Sequence, residues 1–509
     1  MAESPVVFVS HTVRDHRDHD LAHRLAEGLA QRGVRAWIAP DDVPIGADWQ
    51  EQLVSALLQQ CTHFLVILSA ASADAEWVRA EIDLARRRRE SDPSFAILPL
   101  VVGDQRHEFL DRFQRIPYQH DVPEQLALVL DALDLPAEPP ARVAELTEHF
   151  VGRENVFAAF DAFRARQDRG LFTVVGDPGE GKSAICAEFS RRTGCVAHFN
   201  LRAEGDHRAL GCAVNVRAQL AERLDVTLPR PPAGVAELPA YWTRLLEAAA
   251  RAGEPLIIAV DALDEVDLSD HPDGTNVLFL PESLPRGVYL LLTRRRTTVP
   301  LVNRAPQQTY DLGTHRDESR ADVVEYLRRA VTRLDLTPWI DEQQGLDEEG
   351  FVETLADKSQ CNFMYLHYVL PQIEGGTYRA VDVTELPEGL QGYYQDHWRR
   401  MGMQQQPLPR RKIHIVYVMS ELSRPVSRTF LADLLREDPT DVQAVIEEWQ
   451  QFLHVGHAHG GPVYSIYHAS FLDFLHDREI VRAAGESITR INEEIADRLY
   501  ADLFGVDDA

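Results

Sequence analysis

The stretch "VVGDPGEGKSAICAEF" (residues 174–189) holds the pattern G-x-x-x-x-G-K-S from Gly176 to Ser183, after an apolar run and before an amphipathic one. A strand before this pattern and a helix after it are the context in which it cradles a phosphate. Gly176, Gly179 and Gly181 let backbone amides curl around an anion at a helix N-terminus. Lys182 neutralises the β and γ oxygens, and the Ser183 hydroxyl ligates Mg²⁺. A glycine turn without a ligand is the plain alternative, and the flanking runs argue against it. A buried strand that ends in such a loop implies a parallel sheet covered by helices.

Further along, "PLIIAVDALDEVD" (255–267) places Asp261 at the end of another apolar run, with Asp264 and Glu265 just beyond. Carboxylates at a strand's carboxyl end, opposite a phosphate loop, can hold the metal and orient a hydrolytic water. That assigns Asp261 to the metal with Ser183, and Asp264 and Glu265 to catalysis; simple loop acids are the alternative. "VYLLLTRRRT" (288–297) ends in Thr293 and Arg294, where a guanidinium can reach a γ-phosphate or lie in solvent.

Working outward, "LFTVV", "VAHFN", "PLIIAV" and "VYLLL" are expected as buried strands of one α/β domain over 150–305. Residues 310–509 lose their strand signals apart from a short hairpin candidate, "GPVYSIYH", and amphipathic helices dominate. On the N-terminal side, residues 5–135 alternate strand and helix again. The strands are expected at 6–10, 34–38, 64–68 and 95–102; helices follow Leu21, Leu25 and Leu29, start at Asp48 with Glu51 as a capping-box partner, and cover 76–89. The Pro-containing segment "LPAEPPARVAELTE" separates the two α/β units and reads as a linker with a helical end. The expected division is 1–135, a linker 136–149, 150–305, a helical region 306–395, a second 396–480, and a helical tail 481–509.

The 509 residues are 45% hydrophobic and 26% charged, an ordinary globular balance with room for several cores. Five scattered cysteines (Cys61, Cys186, Cys195, Cys212, Cys361) never fall in C-x-x-C spacing, so they indicate neither a disulfide framework nor a zinc site. The longest apolar runs fall short of the ~20 residues that span a bilayer, and the N-terminus lacks a signal peptide's basic region. A cytoplasmic protein with no membrane contact is expected. A formal net charge of −28 opposes binding to nucleic acid.

The glycine-rich loop, "VDALDE" and the arginine-ended strand together resemble the STAND class of signalling P-loop ATPases, which holds the NACHT and NB-ARC switch domains. The likeness extends over 150 to about 480. "FVGRE" is similar to the entry motif of that class, which implies that Val151 and Arg153 border an adenine. "SQCNFMYLHYVL" and "LPEGLQGYYQDHW" are similar to its helical region. "YSIYHASFLDFL" resembles its winged-helix segment, which implies that His468 touches the β-phosphate of ADP.

Residues 5–135 resemble a TIR domain, which implies a flavodoxin-like fold. "VVFVSHTVRDH" matches its first strand and loop, "WIAPDDVPIGADW" the loop after the second strand, and "EWVRAEIDLA" carries W-x-x-x-E at Trp77 and Glu81. On a helix Glu81 falls inside the apolar arc of Trp77, Val78, Ile82, Leu84 and Ala85, where an unpaired carboxylate is out of place. In TIR domains that cleave NAD a glutamate here is catalytic. The resemblance gives Glu81 that role, with Phe8, Ser10, Trp37, Asp42 and Trp77 as neighbours of the dinucleotide. A structural acid paired with Arg88 is the alternative.

The expected protein is thus α/β, with an N-terminal flavodoxin-like TIR domain, a P-loop nucleotide-binding domain, and an all-α helical and winged-helix region. Its expected function is hydrolysis of NAD by the TIR domain, releasing nicotinamide and ADP-ribose or a cyclic variant, on ATP-dependent assembly into homo-oligomers. ATP or ADP with Mg²⁺ sets the state, and a trigger or partner protein remains to be assigned. The competing expectations are a non-catalytic TIR adaptor and a winged-helix DNA-binding ATPase regulator.

Overall fold

In a computed structural model of the chain the described residues are 6–504, less 32–33, 39–56, 58–60, 74, 93–94, 120–121, 134–139, 201–207, 225, 233, 270, 273, 343–345, 377, 379–380, 423–424, 459–460 and 467. Asp42, its loop and the helix start expected at Asp48 lie outside them. By contacts the chain divides into two compact units. One is residues 1–142 with 208–254 and 267–281; the other is 143–207 with 255–266 and 282–509.

The apolar runs of the first unit become a parallel sheet. Its strands are β1 (Val6–Ser10), β2 (Arg35–Ile38), β3 (His63–Leu68), β4 (Ala96–Val101) and β5 (Ile116–Pro117), in the order β2-β1-β3-β4-β5. Strands buried on both faces carry unbroken Val, Ile, Leu and Phe, as β3 and β4 do. β5 has two residues and escaped the reading of the sequence. Helix α1 (His16–Gln31) follows β1, α2 (Glu76–Ser91) lies between β3 and β4, and α3 (Val122–Ala132) follows β5. Val78, Ile82 and Ala85 of α2 join Phe8, Trp37 and Phe64 in the core. In the same unit α3 packs against both α1 and a further helix, Ala209–Arg223.

The second unit is built on a second parallel sheet. Its strands are β6 (Gly170–Val175), β7 (Val196–Phe199), β8 (Leu256–Asp261), β9 (Val288–Arg294) and β10 (Gln307–Asp311), ordered β10-β6-β9-β8-β7. β10 corrects the expectation that strands end near residue 300. It is an edge strand, "QQTYD", in which only Tyr310 is buried, so it has no apolar run to betray it. Helices α4 (Glu154–Arg166) and α5 (Lys182–Thr193) line this sheet with Phe160, Phe163, Ile185 and Phe189.

Beyond β10 the chain is mainly helical. The helices used below are α6 (Arg316–Arg333), α7 (Glu348–Ser359), α8 (Phe363–Glu374), α9 (Gly389–Arg400), α10 (Arg410–Glu421), α11 (Arg428–Leu435), α12 (Pro439–Trp449) and α13 (Ala469–Leu475). The expected hairpin at 461–468 is one strand of a three-stranded antiparallel sheet, β11-β13-β12, with β11 at Val426–Ser427, β12 at Leu453–Ala458 and β13 at Gly461–Ile466. Helix α10, β11, α11, α12, β12 and β13 follow one another in the order of a winged helix. Tyr393, Tyr394 and Trp398 of α9, Trp449, Phe452, and Phe471 and Phe474 of α13 join it in one core of stacked and edge-on rings.

Phe172, fully buried in β6, packs edge-on against Phe160 at 5.4 Å between ring centroids, one strand-length before the phosphate loop. Phe172→Ala leaves a cavity there and is expected to cost about 3–5 kcal/mol. Hydrogen exchange should show lost protection in β6, β8 and β9 with β1 and β3 unchanged.

Candidate functional site

β6 runs out at Val175 into the loop 176–181, and α5 begins at Lys182. Gly181 turns through φ 86° and Gly179 through φ 83°, a conformation that points successive amides inward. Gly179 has a second reason to lack a side chain, since a Cβ there would lie 2.3 Å from Asn362 Oδ1. Lys182 Nζ donates to the Asp177 carbonyl at 2.9 Å. Burial lowers its pKa below the usual lysine range, against the pull of Asp261, Asp264 and Glu180, while Arg295 adds to the lowering.

Asp261 closes β8 and is 2% exposed. Burial raises its carboxyl pKa, opposed by hydrogen bonds from the Ser183 and Thr293 hydroxyls. Thr293 Oγ1 also accepts from the Ala262 amide at 2.9 Å, holding the strand end in place. Ser183 and Asp261 are therefore adjacent, as a shared Mg²⁺ requires.

The three arginines after β9 point three ways. Arg294, expected to reach a γ-phosphate, turns back on its own loop and donates to the Thr297 carbonyl at 2.6 Å. Arg295 takes the central position. Its Nε lies 3.0 Å from Asp264 Oδ2, its amide donates to Asp264 Oδ1 at 2.8 Å, and its Nη1 donates to Asp473 Oδ2 at 2.5 Å. Glu265 stands farther off, 3.9 Å from Arg295 Nη2. Arg296 pairs with Asp177 of the loop and with Asp311 of β10 at 2.8 Å. "TRRRT" was the signal available, but consecutive residues diverge and only the tertiary structure tells them apart.

The helical region reaches the same loop. Asn362, which caps α8, donates from Nδ2 to the Pro178 carbonyl at 2.8 Å, and the Phe363 amide donates to the Gly179 carbonyl at 2.8 Å. Arg153, 2% exposed and left-handed at φ 63°, donates to the Glu180 carbonyl at 2.7 Å and to Ser319 Oγ at 2.7 Å. Its guanidinium lies 5.3 Å from the Phe363 ring centroid. Gly152 precedes it at φ 70°, and a Cβ there would meet Asp322 Oδ1 at 1.9 Å. Val151 is buried beside them. His468 caps α13 through Ser470, and burial with Lys182 and Arg295 nearby lowers its pKa to about 3, so it is neutral at ordinary pH. A cavity of about 400 Å³ opens beside the loop, lined by Asp177, Glu180, Arg296, Asp311, Arg316 and Asn362 among others.

In the first unit Glu81 is 3% exposed and accepts a hydrogen bond of 2.5 Å from Ser10 Oγ at the end of β1. The order β2-β1-β3 makes that strand end a topological switch point, where open α/β sheets bind ligands. Arg88 pairs with Asp92 at 3.0 Å, so the expected alternative of a Glu81–Arg88 link is not the arrangement found. Half-buried Trp77 donates from Nε1 to the His11 carbonyl at 3.2 Å and lies 5.6 Å from the Arg14 guanidinium. Phe8, fully buried, stacks on Trp37 at 5.0 Å, and both join the core beneath α2.

Burial raises the Glu81 pKa from 4.5 to about 7, with the Ser10 bond working the other way. Between those values the folded chain holds a proton that the unfolded chain has lost, so this group's effect on stability worsens as pH rises from 4.5 to 7. Glu81→Gln removes that penalty. The variant is expected to be more stable than the parent at pH 8, by roughly 3 kcal/mol at most, with the advantage gone near pH 4.5. Urea titrations of both proteins across that range measure it.

Residues 7–130 match the family model for the TIR domain, and residues 149–292 match that for the AAA ATPase domain. None of the curated proteins compared with the chain matches it. Among solved structures, one similar protein is a signal transduction ATPase with numerous domains (STAND) with a tetratricopeptide repeat sensor, from Pyrococcus horikoshii. Identity is 11% and the TM-score 0.32, over 66% of this chain and 44% of that one, so the chain spans less than half that protein's length.

Proposed function

From a chain that joins a TIR domain to an AAA ATPase domain, we propose a nucleotide-switched signalling protein whose TIR domain cleaves NAD. The observation that carries this reading is Glu81, a buried carboxylate at the switch point of the sheet with its pKa raised to about 7. A group so poised ionises when a cation arrives, and the nicotinamide ring of NAD is one. The carboxylate then stabilises the oxocarbenium-like charge as the C1′–N1 bond breaks and its electron pair leaves with neutral nicotinamide. A water oxygen bonds C1′ and releases its proton, or a hydroxyl of the same nucleotide closes a ring. Ser10 orients the carboxylate, and Trp77 borders the crevice.

The second unit supplies the gate. Its residues suit a nucleoside triphosphate with Mg²⁺: glycines of positive φ, a lysine held over the loop by the Asp177 carbonyl, and a buried aspartate beside Ser183. Lys182 and the loop amides would hold the phosphates, Ser183 and Asp261 the metal, and Arg153 with Val151 the base. When bound, the metal offsets phosphate charge. Asp264 and Glu265 would orient a hydrolytic water, Arg295 takes the sensing role expected of Arg294, and neutral His468 would donate to a β-phosphate. Exchange of ADP for ATP loosens contacts at Asp473 and His468 and frees the protein to assemble. The division 1–135, 136–149, 150–305, 306–395, 396–480 and 481–509 is part of this reading.

The near-complete burial of Glu81 favours one second reading, a structural carboxylate in a TIR adaptor without chemistry. One experiment decides between them. The purified chain is incubated with NAD and either ATP or ADP, following nicotinamide release and particle mass together. Release that depends on ATP, and that falls by about 10²-fold or more in Glu81→Gln with assembly intact, supports the enzyme. Equal release by Glu81→Gln and its parent, or none by either at any nucleotide state, sinks it. Lys182→Ala is expected to abolish the difference between ATP and ADP.

A further inference from the structure

The turn after β1 and the first half of α1 place three histidines together: His11, His19 and His23 each offer a ring nitrogen, and the three atoms lie within 4.8 Å of one another. His11 Nε2 is 3.1 Å from His19 Nδ1. The His19 and His23 rings meet edge-on at 4.3 Å between centroids, and those of His11 and His23 at 6.1 Å. None of the three has a part in NAD cleavage or the nucleotide switch.

We propose that these histidines form a binding site for a divalent transition metal of the zinc class. Three considerations support it. His19 and His23 are one helical turn apart, the spacing that puts two imidazoles on one face of a helix. Zinc–nitrogen bonds of about 2.0–2.1 Å at tetrahedral angles set ligand nitrogens roughly 3.3 Å apart, and the His11–His19 pair already stands at 3.1 Å. The donors are imidazoles without thiolate or carboxylate among them, a set that suits zinc, with nickel and copper as competitors. His11 is 2% exposed while His19 and His23 are half-buried, so the site has a wall and an entrance. A fourth coordination position is left for water or an added ligand.

Such a metal ties the β1–α1 turn to α1. The His11 carbonyl accepts the Trp77 indole, and Ser10, the partner of Glu81, precedes it directly. The metal therefore clamps the backbone that shapes the crevice of Glu81 without being part of the chemistry there.

The test uses the full chain without a polyhistidine tag, cleared of metal by a chelator and titrated with Zn²⁺ or Co²⁺. Metal content by mass spectrometry and the visible d–d absorption of Co²⁺ are the readouts, neither of which depends on NAD cleavage. The expected result is about one equivalent retained through gel filtration, with a Co²⁺ band of tetrahedral intensity. Both should be lost in His19→Ala and His23→Ala and kept in His16→Ala, whose imidazole is exposed on the same helix. No retained metal in the parent overturns the proposal and leaves a hydrogen-bonded histidine pair; so does retention in folded His19→Ala and His23→Ala. If either variant misfolds, the Co²⁺ spectrum of the parent decides alone, an octahedral or absent band counting against the site.

Discussion

Asp261, withdrawn from water beside half-buried Lys182, sits at the carboxyl end of one sheet, and the second unit is organised around making that tolerable. Removing an ion from water costs several kcal/mol even after relaxation. Both groups show the strain: burial lowers the lysine and raises the aspartate. Their compensation is mutual and local to the strand ends: the Ser183 and Thr293 hydroxyls and Lys182 ease the aspartate, and Asp261, Asp264 and Glu180 ease the lysine. A loop that merely bound phosphate would not need partners from β9, α8 and α13.

Because those partners sit on separate elements, the proposed switch ties occupancy of the phosphate loop to all of them. Arg295 joins Asp264 to Asp473, and Asn362 and Phe363 hold the loop's carbonyls. Moving a population from about 1:99 to 99:1 takes roughly 5.5 kcal/mol of differential binding. Charge-assisted hydrogen bonds contribute about 1.5–3 kcal/mol each, so in the proposed switch exchange of two or three such bonds, those of Arg295 with Asp264 and Asp473 among them, would span that range. The proposed coupling is short-ranged, since these side chains all belong to one compact unit.

Glu81 obeys the same physics, and burial raises its carboxyl as it raises that of Asp261. It has one hydroxyl for company where Asp261 has two and a lysine, and its pKa rises to about 7. The apolar surface that drives α2 onto the sheet, through Val78, Ile82 and Ala85, is what denies the carboxylate water. Core packing and the tuning of the acid are thus one event.

Much of this was legible in the residues alone. Both sheets announce themselves as apolar runs, G-x-x-x-x-G-K-S names its own strand, turn and helix, and W-x-x-x-E marks Glu81 as an acid out of place, because periodicity and local turn chemistry are written in neighbouring residues. What neighbouring residues cannot hold is direction across the fold. β5 and β10 are too short or too polar to be seen, Arg294 and Arg295 turn to different partners, Phe8 turns into the core, and His11 meets His19 and His23 across a turn. Each outcome depends on which side chain a strand end or helix face turns toward a distant partner, and that is decided only when the sheets and helices pack.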